Sequence, residues 1–433
     1  MMRDFYKYKD IGFESKEIIE QVQTQLLQAH LKYCLSQSPF YRKFLDGLIK
    51  DVTKVNLINF KDVPLTEKLF IEHDNDGFRA VNPEQIVDIV LSSGTTGKPI
   101  KIMYTGQDLT RLAYNEEKSF VGCGLTKKDI VLLTCTMDRC FIAGLAYFLG
   151  ITNLGASAIR NGHGSLDSHK EVIGKMKPTA IVGVPSFIRK LGLYMKKEDG
   201  EQPLSSVKRI ICIGEPLRNE KVELLSVGLE LEEIWGAKVY STYASSEIVT
   251  TFCECEAQHG GHLHPDLAVI EIVDDQGNIL DDGITGEVVI TPLGIEGMPL
   301  VRYKTGDISF LMSEPCKCGR KSKRLGPILG RKKQMMKVKG TTLYPQAVYA
   351  VLDSTKEVQE YYIEAISESA LSDSLIIHVA INDLALDLEF LQERIQASLR
   401  VKPIIILEKD DAMKRIIYAQ DNRKPIRFFD RRK

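Results

Sequence analysis

The sequence predicts an α/β protein of two domains: a large amino-terminal domain of parallel sheet with crossover helices and a β-rich subdomain, then a small α+β domain. Three observations carry this. Short β-rich runs (Ile130 to Thr134, Ala180 to Val184, Arg209 to Ile213, Val239 to Tyr243) alternate with helical patterns, the order of parallel strands whose ligands sit beyond the strand carboxyl ends. After Ile270 the texture changes to hairpins, with Val269 to Val273, a turn at Asp274 to Asn278, and Gly286 to Thr291. Gly330 to Gly340 is basic, aperiodic and bounded by glycines, so the boundary falls there, giving domains 1–331 and 332–433.

The elements follow in order. Ile19, Val22, Leu26, Ala29 and Tyr33 recur at steps of three and four, one apolar stripe of a packing helix. Phe141 to Ile159 is 19 residues without a charge, near a membrane-spanning length, but Gly144, Gly150, Thr152, Asn153 and Gly155 divide it into a short helix and a strand for a buried core. Pro345 suits the first turn of a helix carrying Val348, Val351 and Leu352. Strand-like runs follow near Tyr361 to Ile366 and Leu375 to Ile381, then a helix striped by Leu388, Leu391, Ile395 and Leu399, and a strand from Pro403 to Leu407.

Composition narrows the function. At 433 residues, 44% apolar and 27% charged, the chain is too long for one core and too apolar for disorder. Its 57 basic and 58 acidic residues give a net charge of −1, so no global field attracts nucleic acid or an anionic membrane. Met1 to Glu17 mixes both charge signs and lacks the apolar core of a secretory signal, so the cytoplasm is the expected compartment. The nine cysteines are then expected as reduced thiols, and Cys34, Cys123, Cys135, Cys140 and Cys212, scattered in mostly apolar contexts, are given no role.

The sharpest motif is Ser92-Ser93-Gly94-Thr95-Thr96-Gly97-Lys98, directly after the apolar run Ile86 to Leu91. Its glycines let backbone amides turn inward, its hydroxyls can donate to phosphate oxygens, and its lysine adds charge. It is not the Walker pattern, because Lys98 precedes Pro99 and the glycines are too close together.

This string resembles the phosphate loop of the adenylate-forming superfamily, and other motifs stand in that superfamily's order. Gly214-Glu215-Pro216 resembles the segment lining the adenine pocket, and Tyr243-Ala244-Ser245-Ser246-Glu247 resembles the Tyr-Gly-x-Ser/Thr-Glu motif. Arg302 to Asp307 resembles the Arg-Tyr-x-Thr-x-Asp block, and Gly330-Arg331 resembles the opening of the hinge. Ser38 to Phe44, "LVRYKTGD" and "KPIRFFDRR" are similar to the phenylacetate-CoA ligase branch, over nearly the whole chain. Ala244 in place of glycine, Lys333-Gln334 in place of an acidic pair, and Arg423 before Lys424 depart from the family pattern.

The resemblance implies that Ser92 to Lys98 grip the β- and γ-phosphates of ATP, that Glu247 holds Mg²⁺, that Asp307 accepts the ribose hydroxyls and that Tyr243 stacks on adenine. Each role suits its residue: phosphate needs donors and charge, a divalent cation needs carboxylate oxygen, and a diol needs an ionised acceptor. It further implies that Lys424 is the catalytic lysine of adenylation, although six of the last twelve residues are basic and a solvated tail competes with this reading. Rotation at a hinge, Lys333, would then withdraw Lys424 and bring Lys337 to Gly340 to a coenzyme A channel. The implied acid is small and aromatic, and a homodimer is compatible with the resemblance; Phe141 and Tyr147 are candidates for the wall of the acid pocket and equally for the core.

Cys253-x-Cys255, His259, His262, His264 and Cys316-x-Cys318 form a separate constellation. Sulfur and imidazole ligands in a reducing compartment select tetrahedral Zn²⁺, and four protein ligands make it structural. The expected set is Cys253, His259, Cys316 and Cys318, with Cys255 as substitute, because Cys255 and His262 resemble positions found in relatives without metal. The expected activity is an ATP-dependent acid:CoA ligase. Its rivals are an adenylating enzyme with a carrier-protein thiol or amine acceptor and an inactive nucleotide-binding protein, to which Ala244 gives the only support.

Overall fold

The computed structural model describes residues 4–92, 100–199, 202–338, 341–355, 357–369, 372–381, 387–418 and 426–432. The chain divides into two compact units. One comprises 1–224, 228–305 and 309–328; the other is 329–433 with the short stretches 225–227 and 306–308.

In the first unit, a six-stranded sheet among the described residues runs Ser157–Arg160, Ile130–Leu133, Ala180–Gly183, Arg209–Cys212, Lys238–Ser245, Thr250–Cys253. The first five strands are parallel and the last is antiparallel to its neighbour. The four expected runs are all strands of this sheet. Their unbroken Val/Ile/Leu content is what burial on both faces requires: Val131, Leu132, Ile181, Val182, Ile210 and Ile211 are at most 1% exposed. The uncharged stretch is the helix Ile142–Leu154, ended by Gly155 at φ +80, followed by the strand Ser157–Arg160. No helix among the described residues is long and apolar enough to cross a membrane.

The amino-terminal helix spans Lys16–Gln37 and is capped by the Ser15 hydroxyl. Its buried side chains are Ile19, Leu27, His30, Leu31 and Cys34, whereas Ala29 is exposed. The helix is as expected, but its buried stripe is rotated by about one position, because Cys34 and His30 go inside and His30 Nε2 meets the Leu300 carbonyl at 2.9 Å. The same core includes Ile272, Ile290 and Val301 of the antiparallel subdomain. There Ala268–Val273 pairs with Gly286–Pro292, and the Asp274 carboxylate accepts from the Gln276 and Asn278 amides to set the turn.

In the second unit the hairpin Val358–Ser369/Ser372–Ile381 is flanked by two parallel strands, Ile404–Leu407 beside Ile376–Val379 and Phe428–Asp430 beside Ile363–Ala365. Helices Pro345–Asp353 and Leu388–Leu399 bury Val348, Leu352, Leu391 and Ile395 against Ile363 and Ile377. A helix not foreseen from the sequence, Asp410–Ile417, packs Met413 and Ile417 against Tyr362 and Ala380. Those two strand residues alternate with the first pair, so this helix covers the opposite face.

Candidate active site and metal centre

The strand Ile86–Leu91 pairs antiparallel with Lys101–Thr105, so the predicted phosphate loop is the connection of a β-hairpin. Ser93, Gly94, Thr95, Thr96, Gly97 and Lys98 lie outside the described residues, as do Gly340 and Lys424. Ser92 is described and 4% exposed. Its amide donates to the Ile100 carbonyl at 3.0 Å and its hydroxyl accepts from the Ile100 amide at 3.3 Å, which pins the two ends of the loop together.

Tyr243, Ala244 and Ser245 end the strand Lys238–Ser245, and a tight turn carries Ser246 and Glu247 into Thr250–Cys253. Val249 completes this turn at φ +48, a conformation that costs a β-branched residue on the order of 1–3 kcal/mol. Buried Arg111 holds the turn, donating to the Val249 carbonyl and, at 3.1 Å, to the Thr250 hydroxyl. Tyr104 donates to the Ser246 carbonyl at 2.9 Å. Glu247 is thereby fixed at the carboxyl end of a parallel strand, where ligands of open α/β sheets bind. Ala244 is exposed and pairs with Thr251.

Gly214-Glu215-Pro216 follows the neighbouring strand, and since Cys212 pairs with Ser241, this segment and Tyr243 end side by side. Gly214 adopts φ +74, open to glycine at little cost. The Glu215 carboxylate accepts from the Ser186 amide and hydroxyl at 3.0 and 2.7 Å, so it caps the helix Pro185–Asp199. Tyr243 is half-buried and stacks on Phe252 at 6.2 Å. Tyr147, proposed as a wall, is 3% exposed in the core behind the sheet; Phe141 is half-buried.

In the second unit, Asp307 of the strand Tyr303–Ser309 pairs with Arg331 of the two-residue strand Gly330–Arg331, and Arg331 Nε lies 3.2 Å from Asp307 Oδ1. Asp307 is only 4% exposed, so its charge is held by this partner. Lys337 is exposed; its amide donates to Asp373 at 2.8 Å.

One residue that sequence reasoning missed joins two that it found. Lys68, first residue of the helix Lys68–His73, donates to the Ser92 hydroxyl at 3.2 Å and lies 3.4 Å from Glu247 Oε1. No local signal marks Lys68; its partner Glu247 is 179 residues away.

Cys255, His262, Cys316 and Cys318 present ligand atoms all within 4.8 Å of one another. Cys255 and Cys316 sulfurs are 3.5 Å apart and His262 Nε2 is 3.4 Å from Cys318 Sγ. A tetrahedron with bonds of about 2.0–2.3 Å has edges of roughly 3.3–3.8 Å; both of these separations fall in that range, and three sulfurs with one imidazole are donors that suit zinc. Burial, aided by Arg320 and Arg324, pushes the His262 pKa down to about 3, which keeps the imidazole neutral and its lone pair available. Burial opposes ionisation of Cys318, yet hydrogen bonds from Arg320 outweigh it and hold the thiol below its ordinary range.

This corrects the expected ligand set at two positions. Cys253 ends a strand and faces the core, where its sulfur meets Cys123 Sγ at 3.3 Å and accepts from the Thr242 hydroxyl. Cys255 lies beyond the strand end, where the chain has left extended geometry. His259 uses its carbonyl to hold Arg324 at 2.7 Å, and its ring lines a cavity of about 430 Å³ beside Glu314. His262 takes its place because its short strand pairs with Arg324–Leu325, the hairpin arm leading back to the Cys-x-Cys turn.

Three comparisons bear on this arrangement. Residues 17–295 match the family described as AMP-binding enzyme. A phenylacetate-coenzyme A ligase of Thermus thermophilus is 30% identical over 374 residues, covering 85% of this chain and 82% of that protein. One from Escherichia coli K12 is 28% identical over 391 residues, 88% and 87% respectively. The crystal structure of 2-hydroxyisobutyryl-CoA ligase in the postadenylation state superposes with a TM-score of 0.83 at 23% identity, covering 95% of this chain and 89% of that one, and supports the fold.

Proposed function

The chain belongs to the AMP-binding enzyme family and, within it, to the phenylacetate-CoA ligases, and from that premise we propose how its residues divide the work on a small aromatic acid. It is an ATP-dependent acid:CoA ligase working through an acyl-adenylate. The observation supporting the site assignment is that Ser92, at the mouth of the phosphate loop, and Glu247, at the end of its strand, converge on one ammonium group.

In the first half-reaction a carboxylate oxygen of the acid attacks the α-phosphorus of ATP, the bond to the bridging oxygen breaks, and pyrophosphate leaves with the electron pair. Ser92 to Lys98 hold the outer phosphates. Gly214 to Pro216, with Tyr243, Ala244 and Ser245, bound the adenine. Asp307, oriented by Arg331, accepts the ribose hydroxyls, and Lys424 neutralises charge at the α-phosphate. Glu247 would hold Mg²⁺, which when bound neutralises phosphate oxygens. In the second half-reaction the thiol sulfur of coenzyme A attacks the acyl carbon, its proton is lost to solvent, and AMP departs. Lys333 is the proposed hinge, and Lys337 to Gly340 border the thiol.

A panel of aryl-acetic, benzoic and short aliphatic acids, scored by AMP release with and without coenzyme A, tests this reading. The expected result is coenzyme A-dependent AMP and thioester formation, fastest with an aryl acid. Fastest turnover with short aliphatic acids would remove the aromatic assignment.

Cys255, His262, Cys316 and Cys318 are the proposed structural zinc ligands. The purified protein is expected to carry close to one zinc per chain, and Cys316→Ser to lose it. A loss of about 3 kcal/mol would lower the Tm of so large a unit by roughly 4–5 °C. Metal content near zero in protein never exposed to chelator would refute the site.

A further inference from the structure

We propose that Lys68 is a catalytic residue, a resident cation that contacts the acyl-phosphate end of the adenylate in both half-reactions. This rests on the ligase reading above and adds a residue to it.

Position is the first ground. The Lys68 ammonium sits between Ser92 and Glu247, with 24% of its side chain exposed, at the mouth of the proposed phosphate loop. Among the described residues Ser92 and Glu247 engage two of its three donors, leaving one for a substrate oxygen. Its 3.4 Å approach to Glu247 is longer than the roughly 2.7–2.9 Å of a tight charge-assisted bond, so the contact can be exchanged for a substrate or a cation at Glu247.

Rigidity is the second. The residue two before it, Thr66, is fully buried and tied on three sides: its amide donates to the Arg302 carbonyl at 2.9 Å, its hydroxyl donates to the Val301 carbonyl at 2.6 Å, and its carbonyl accepts from the Lys304 amide at 2.9 Å. Tyr41 adds a hydroxyl contact at 3.2 Å. A cation on such a base needs little reorganisation when charge develops, the property that makes preorganised groups effective in catalysis.

Charge balance is the third. Adenylation brings a carboxylate to a phosphate, and thioester formation expels AMP with an extra negative charge, so both steps need a cation at the same phosphorus. Lys424 belongs to the second unit. Lys68 belongs to the same compact unit as Ser92 and Glu247 and stays with them whatever the other unit does.

The test uses full-length Lys68→Met and Lys68→Arg. Three quantities are measured beside wild type: acid-dependent exchange of labelled pyrophosphate into ATP, thioester formation from supplied acyl-AMP, and calorimetric binding of an aryl-acetyl sulfamoyl adenosine. The methionine variant is expected to lose about 100-fold in both half-reactions and to bind the analogue more weakly, with Tm close to wild type. Arginine, which keeps the charge, is expected to recover part of both rates. If the methionine variant does not fold, Lys68→Gln carries the same expectations. Loss confined to adenylation, or unchanged analogue affinity, overturns the proposal while leaving the ligase intact. A wild-type protein that performs neither half-reaction with any acid overturns both.

Discussion

Lys424→Ala is expected to lower pyrophosphate exchange by about 100- to 1,000-fold while thioester formation from supplied acyl-AMP stays close to wild type. The carboxylate and the α-phosphate repel each other, and a neutral alanine leaves that repulsion unscreened at the moment the new bond forms. The second step starts from the adenylate, whose phosphate carries less charge, and in the proposed cycle proceeds after Lys424 has withdrawn. Lys424 lies outside the described residues, so this expectation rests on the end sequence and the family to which the chain belongs. Separate assays of the two half-reactions check it, and an equal loss in both would contradict a lysine that acts in one orientation. The contrast with Lys68→Met, expected to impair both steps, makes the pair of variants more informative than either alone.

Arg302→Ala is expected to destabilise the protein by about 3–5 kcal/mol, a large share of a typical stability of about 5–15 kcal/mol. Arg302 is 2% exposed and meets Glu271 through two parallel bonds of 2.9 Å. Its remaining nitrogen donates to the carbonyls of Lys61 and Val63. Removing it leaves a carboxyl and two carbonyls buried without their donor. Burial already raises the Glu271 pKa, and Arg302 is what opposes that rise. In the alanine variant the folded protein would hold the Glu271 proton to higher pH than the unfolded chain. The contribution of Glu271 to its stability should therefore be fully present below the ordinary glutamate range and be lost as pH increases, so the deficit relative to wild type should be larger at pH 8 than at pH 5. Denaturant melts at pH 5 and pH 8 check the sign; greater stability at pH 8 relative to wild type would contradict it. Because Arg302 also anchors the segment that leads to Lys68, adenylation should fall even where the variant remains folded.

The parallel strands were legible because each is a short run of β-branched and aliphatic residues bounded by turn formers, information contained within a few neighbours. The candidate site motifs could be picked out for the same reason: Tyr243 to Glu247, which runs from the end of a strand into a turn, and Gly214 to Pro216, which follows a strand, are each continuous in sequence. The rotated stripe of the amino-terminal helix was not, since choosing Cys34 over Tyr33 depends on what Leu300 presents to His30 across 270 residues. Nor was the role of Arg302: the motif gave it no task, whereas its guanidinium is spent on Glu271 and on main-chain carbonyls.

By itself the sequence determined the α/β class, the division into a large and a small unit, the candidate nucleotide motifs and the presence of a sulfur–imidazole constellation. Only the tertiary structure decided that Cys255 and His262, not Cys253 and His259, meet Cys316 and Cys318, and that Lys68 faces Glu247. The physical reason is face and register. Cys253 and Cys255 would share a face if the strand ran on, but it ends at Cys253 and the chain leaves the strand before Cys255, and contacts such as Cys255 to Cys316, 61 residues apart, exist only once the pairing of the intervening strands has been set.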